Sequence, residues 1–117
     1  MKRSTAMTTL RTRTTTQPKP VVLGIDPGYD RLGYAVLGGT AAKPTLVAVG
    51  CLTTEEKGHP ARLREVAAHV HELVQRYHPT RAGVEQLFFS KNVKTAIKVA
   101  EARGVIVAEL ARTGIQI

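Results

Sequence analysis

Apolar residues begin to cluster at position 20, and from there the hydrophobic period changes several times along the chain. Val21-Val22-Leu23-Gly24-Ile25 is a short apolar, β-branched run of the kind that forms a strand buried on both faces. It stops at Asp26-Pro27-Gly28-Tyr29-Asp30, which is rich in turn formers. Leu32, Tyr34 and Val36 then alternate with Gly33, Ala35 and Leu37 and predict a second strand, closed by Gly38-Gly39. Thr45 to Thr53 predicts a third. Short turns between the three imply an antiparallel meander.

Beyond the polar stretch from Glu55 to His59 the period becomes helical. Pro60 suits a first helical turn. Leu63, Val66, Ala67, Val70, Leu73, Val74 and Tyr77 fall on one stripe, with Arg64, Glu65, Glu72 and Arg76 on the wet side. Pro79 ends that helix. Ala82-Gly83-Val84-Glu85-Gln86-Leu87-Phe88-Phe89 predicts a fourth strand running into a loop. Asn92 is a good N-cap for a long helix over 93–112. Ala96, Ile97, Ala100, Gly104, Val107, Ala108 and Ala111 give this helix a face of small side chains, able to approach either the sheet or a second subunit. Thr113-Gly114 stops it, and Ile115-Gln116-Ile117 reads as the opening of a fifth strand. The order βββαβα, then β, is the connectivity of the ribonuclease-H-like α/β fold. That fold has a mixed sheet, an antiparallel three-strand meander plus parallel strands, with flanking helices. Likeness of fold alone carries no chemistry.

Composition sharpens this picture. The 117 residues suffice for one domain, and 43% hydrophobic content suffices for a core. Net charge is +8, which favours a polyanionic partner. Five of those charges, Lys2, Arg3, Arg11, Arg13 and Lys19, lie in an acid-free segment. The expected organisation is therefore a disordered basic tail over 1–19 and one ribonuclease-H-like α/β domain over 20–117. Cys51 is the only cysteine, so an intrachain disulfide is excluded. No apolar run approaches the ~20 residues of a membrane-spanning helix.

Two carboxylates stand out because they interrupt apolar strands: Asp26 at the end of the first and Glu85 in the fourth. A carboxylate in a buried strand is costly unless paired or bound to metal. Neighbouring strands would bring both into one cleft, where hard oxygen ligands suit Mg²⁺. A turn cap at Asp26 and an ion-paired Glu85 fit the same spacing equally well. Lys91, Lys94 and Lys98 share one face at the start of the long helix, suited to phosphate contacts or simply to solvent. Arg103 has weaker support for the same role. His59, His69, His71 and His78 form no convincing site and are read as surface or packing residues.

Leu23-Gly24-Ile25-Asp26-Pro27-Gly28, Arg31-Leu32-Gly33-Tyr34, Val84-Glu85-Gln86-Leu87-Phe88-Phe89-Ser90-Lys91-Asn92 and Ala102-Arg103-Gly104-Val105 together resemble the RuvC family of Holliday-junction resolvases, in family order and spacing. The resemblance covers roughly residues 21–117. The first motif alone is shared with sugar kinases and RuvX-like proteins; the segment around Glu85 is far more specific. The resemblance implies a metal-dependent endonuclease making paired symmetric nicks in four-way DNA junctions, with Asp26 and Glu85 as catalytic and metal-binding acids. It implies Mg²⁺, with Mn²⁺ substituting, as cofactor. It also implies DNA contacts by Phe88, Phe89, Lys91, Asn92, Lys94 and Lys98, with Phe88 stacking on an unpaired base. The implied partners are junction DNA, a second copy through the long helix 93–112, and branch-migration proteins of the RuvA/RuvB type in a bacterial cytoplasm. Complete members of the family continue through a segment that brings two further acids, which Asp30, Glu101 and Glu109 do not match. The expectation is a fold incomplete at the C-terminus and a polypeptide inactive, or nearly so, by itself. The alternatives are a catalytically dead junction-binding fragment and an actin-like or RuvX-like protein.

Overall fold

The structure, a computed structural model, describes residues 20–87 and 92–117. Six elements follow one another: β1 (Val22–Asp26), β2 (Arg31–Gly39), β3 (Pro44–Thr53), α1 (His59–Tyr77), β4 (Arg81–Val84) and α2 (Val93–Arg112). The four strands form one sheet in the order β3-β2-β1-β4. β1 and β2 pair antiparallel, as do β2 and β3, whereas β1 and β4 run parallel. This is the meander extended by a parallel strand that the sequence predicts.

The register explains the alternation of residues. Leu23, Ile25, Leu32 and Val36 point to one face and are buried with Val66, Val70 and Leu73 of α1 and Ile106 and Leu110 of α2. Each such side chain contributes roughly 1.5–3 kcal/mol on leaving water. The opposite face carries Val22, Gly24 and Asp26 from β1 beside Leu37, Ala35 and Gly33 from β2. Val22 and Asp26 are exposed, so β1 is buried on one face and not on both. The apolar run indicated two-sided burial, but both helices pack into the same core and, among the described residues, none covers the second face.

Turn chemistry sets the edge that carries Asp26. A Cβ at Gly28 would overlap the carbonyl oxygen of Arg31, so the β1–β2 turn admits no side chain there. α1 starts with Pro60 in its first turn and ends at His78 in the left-handed region, φ 49°. α2 is capped by Asn92, whose side chain accepts from the Thr95 N–H at 3.2 Å.

The structure shortens one predicted strand and decides two points the sequence left open. β4 ends at Val84, short of Phe89; Glu85 only continues the ladder, its N–H donating to the Ile25 carbonyl at 3.0 Å. The fifth strand is reduced to a single parallel bridge, Arg81 with Gln116, reinforced by the Ala82 N–H donating to the Gln116 carbonyl at 2.9 Å. The small-residue face of α2 does not meet the sheet. The helix buries Ala102, Ile106 and Leu110 instead, which leaves Ile97, Ala100, Gly104, Ala108 and Ala111 exposed. Ile106 and Leu110, larger than the alanines and glycine of that stripe, fill the inter-element gap better, with Ala102 on the same buried face.

Candidate active site

The parallel pairing of β1 with β4 decides where the two acids lie. Ile25 is opposite Val84, so Asp26 and Glu85 emerge from adjacent strand ends at the same edge of the sheet. Both are exposed. The expectation of carboxylates inside buried strands is therefore corrected: they stand at the rim of the uncovered face, where water solvates them.

Both line a shallow trough of about 510 Å³ along that face, floored by Gly24, Gly33, Ala35 and Gly83. Small residues are what make it a trough. A Cβ at Gly33 would lie 3.5 Å from the Asp26 Cβ and 3.9 Å from its Oδ2, crowding the carboxylate.

Neither acid has a cationic partner within salt-bridge distance among the described residues. Neither side chain caps a turn or helix there. The two bland alternatives, turn cap and ion pair, thus find no support. Two unpartnered carboxylates facing one trough are oxygen donors of the kind that hold Mg²⁺ through one or two carboxylates plus substrate phosphate. They fit such an ion in kind. Among the described residues no group of three or more His, Cys, Asp or Glu could hold a metal.

Glu85 is held in place by a contact the sequence does not announce. Arg103, half-buried on α2, donates its Nε–H to the Glu85 carbonyl at 2.9 Å. The long helix is thereby tied to the backbone of the second acid, and Arg103 is a strut before it is anything else. A second tie runs to the turn after Asp26. The Tyr29 hydroxyl meets His59 Nδ1 at 2.7 Å, and His59 Nε2 meets Glu101 Oε1 at 2.8 Å. His59 packs between elements, as read from the sequence, but its partners lie 30 and 42 residues away and no local pattern points to them.

Lys94 and Lys98 are exposed on the first turns of α2, on the face the sequence indicates. Asn92 acts as the helix cap. Phe88, Phe89 and Lys91, assigned to DNA from the sequence, lie outside the described residues, as does the basic segment 1–19. No helix among the described residues is long and apolar enough to cross a membrane.

A meander extended by a parallel strand, with two helices packed on one face and paired acids at adjacent strand ends, defines a ribonuclease-H-like α/β protein. Comparison with known proteins then narrows the class. Residues 22–117 match the family model described as crossover junction endodeoxyribonuclease RuvC, and the chain belongs to that family. It is 43% identical over 97 residues to the protein of that name from Brachyspira hyodysenteriae, covering 82% of this chain and 61% of the relative. The protein of the same name from Petrotoga mobilis is 44% identical over 98 residues, covering 83% of this chain and 60% of that one. Among solved structures, Thermus thermophilus RuvC in complex with a Holliday junction substrate superimposes with a TM-score of 0.71 at 29% identity. That match covers 82% of this chain and 60% of the other. The chain thus spans about three-fifths of the length of these relatives.

Proposed function

We propose that this chain provides the first two catalytic acids and the junction-binding face of a structure-selective DNA endonuclease. On this reading it acts on four-way junctions by paired symmetric nicks in the two strands of like polarity, leaving 5′-phosphate and 3′-hydroxyl ends. The observation that carries the reading is the pair Asp26 and Glu85, unpartnered among the described residues at adjacent parallel strand ends. They occupy the positions at which the resemblance places the family's first two acids.

Asp26 and Glu85 would hold Mg²⁺, with Mn²⁺ able to replace it. Bound there, the ion supplies charge stabilisation for the entering and leaving oxygens of the phosphodiester. The residues do the rest. Asp26 and Glu85 orient their oxygens toward the trough, Gly33 keeps the space beside Asp26 open, and Arg103 fixes the Glu85 backbone. Lys94 and Lys98, exposed on the first turns of α2, would attract backbone phosphates electrostatically. Phe88 and Phe89 follow Glu85 by three and four positions in the sequence, and stacking on an unpaired base is worth roughly 1–3 kcal/mol.

The exposed stripe of Ala100, Gly104, Ala108 and Ala111 supports a two-fold dimer through α2. A Cβ at Gly104 would meet nothing, so that face stays open to a close-packed helix. A two-fold dimer presents two equivalent sites to two strands, which paired nicking requires. The cellular setting of this reading is the bacterial cytoplasm, beside branch-migration partners of the RuvA/RuvB type.

A second reading is junction binding without cutting, favoured by the fact that, among the described residues, only two acidic side chains line the trough. One experiment separates them: a labelled four-way junction incubated with Mg²⁺ and either this chain or its Asp26→Asn variant. Symmetric nicks that fall to background in the variant support the nuclease reading. Retained gel-shift binding in chelator without nicks selects the binding reading. Absence of both overturns the proposal.

A further inference from the structure

The edge of the sheet that carries Asp26 has a second concavity, on its helix side. It encloses about 450 Å³ and is lined by Tyr29, Asp30, His59, Arg62, Thr95 and Lys98. These residues come from the β1–β2 turn, the start of α1 and the first turns of α2, so only the fold assembles them.

The Tyr29 ring is the centre of this assembly. Its hydroxyl is tied through His59 to Glu101, which fixes the ring. Two cations lean on it: the Arg62 guanidinium carbon lies 4.9 Å from the ring centroid and Lys98 Nζ lies 5.3 Å from it. Like charges converging on one ring repel each other and call for an anion. Arg62 has one in Asp30, its salt-bridge partner. Lys98 has no carboxylate partner among the described residues, and the Thr95 hydroxyl makes no hydrogen bond among them. Asp30 is itself highly exposed, with 80% of its side chain accessible, so its hold on Arg62 is exchangeable.

We propose that this concavity is a second seat for a DNA backbone phosphate. It takes a phosphodiester of the same strand that Asp26 and Glu85 engage, a few nucleotides from the reacting one. Tyr29 is three residues beyond Asp26, so no more than about 11 Å of chain separates them. Lys98 and Thr95 are the standing donors. Arg62 joins them when phosphate displaces Asp30, because its planar fork matches phosphate as well as carboxylate. Asp30 thereby acts as a built-in competitor that an entering strand must replace. This seat rests on the nuclease reading of the neighbouring trough and extends it from Lys98, which that reading already uses, to Tyr29, Arg62 and Thr95, which it does not.

The test is equilibrium binding of a labelled junction over a range of salt, in chelator, with this chain and three variants. Lys98→Gln is expected to weaken binding and to reduce the slope of log K against log salt by about 0.9. Asp30→Asn is expected to tighten binding several-fold, and by more than Glu56→Gln, an exposed acid outside the concavity. Far-UV circular dichroism checks that each variant folds. An unchanged slope in Lys98→Gln, or an Asp30→Asn gain no larger than that of Glu56→Gln, overturns the seat while leaving the nuclease reading intact. A chain that binds no junction at all overturns the nuclease reading and the seat with it. A parallel titration with inorganic phosphate identifies the source of the anion. Saturation of the Lys98 and Arg62 side-chain NMR signals by inorganic phosphate, with junction binding unaltered in Lys98→Gln, would make this a small-anion site and overturn the DNA assignment.

Discussion

Arg103 offers the sharpest test of how α2 serves the site. Replacing it with Ala removes the hydrogen bond from its Nε–H to the Glu85 carbonyl, 2.9 Å long. A hydrogen bond with a charged partner is worth roughly 1.5–3 kcal/mol when buried. Arg103 is half-buried, so water recovers part of that, and the expected destabilisation is about 1 kcal/mol with a fall in Tm of about 4–8 °C. The functional consequence is separate. Fixing the backbone of one residue costs about 1–2 kcal/mol. Glu85 keeps its N–H bond to the Ile25 carbonyl, 3.0 Å long, so loss of the Arg103 tie releases only part of its freedom. The lower end of that range, about 1 kcal/mol, corresponds to a loss of about fivefold in affinity for the metal. Free Mn²⁺ measured by electron paramagnetic resonance during titration reads that loss directly. Arg103→Lys discriminates between strut and phosphate contact. Lysine keeps the charge but cannot place a guanidinium Nε under the carbonyl, so a strut fails in both variants while the salt slope of junction binding stays put. The strut argument is refuted if Mn²⁺ affinity and Tm are unchanged in both and the salt slope instead falls by about one in the Ala variant.

Two further outcomes follow from the fold. Leu110 is fully buried where α2 meets α1 and the sheet, so Leu110→Ala is expected to cost about 2–5 kcal/mol, read from the urea midpoint at unchanged m-value; a cost below about 1 kcal/mol would mean that α2 is not packed as described. The Glu65 carboxylate accepts from the backbone N–H groups of Glu56 and Glu55, which hold its pKa below the ordinary 4.5. A depressed acid stabilises the folded chain fully above its unfolded value and loses that contribution as pH falls through the lower folded value. Stability should therefore drop from about pH 4.5 downward in the native chain and more shallowly in Glu65→Gln, and identical acid limbs would contradict the contact.

That same Glu65 shows where sequence reading reaches its limit. Helical spacing places it on the wet side of α1, yet its side chain is only 17% accessible and it spends its charge on the backbone of the segment before the helix. The hydrophobic period indicates which face of an element is apolar; it says nothing of what arrives from elsewhere in the chain.

Within that limit much was legible. Local patterns of two, three and four residues gave the three-strand meander, the stripe of Val66, Val70 and Leu73, and the long helix from its Asn92 cap to Arg112. They also singled out Asp26 and Glu85, because a carboxylate that interrupts an apolar strand is conspicuous. Tertiary structure alone decided that β4 lies parallel to β1, which puts both acids at one edge. It alone chose Ala102, Ile106 and Leu110, not the small-residue stripe, as the buried face of α2. It alone brought Arg103 to the Glu85 carbonyl and gathered Tyr29, His59, Arg62 and Lys98 around one concavity. The physical reason is range: dihedral preference and hydrophobic alternation act between near neighbours, whereas these contacts join residues 18 (Glu85 and Arg103) to 69 (Tyr29 and Lys98) positions apart, and packing the whole core is what selects them.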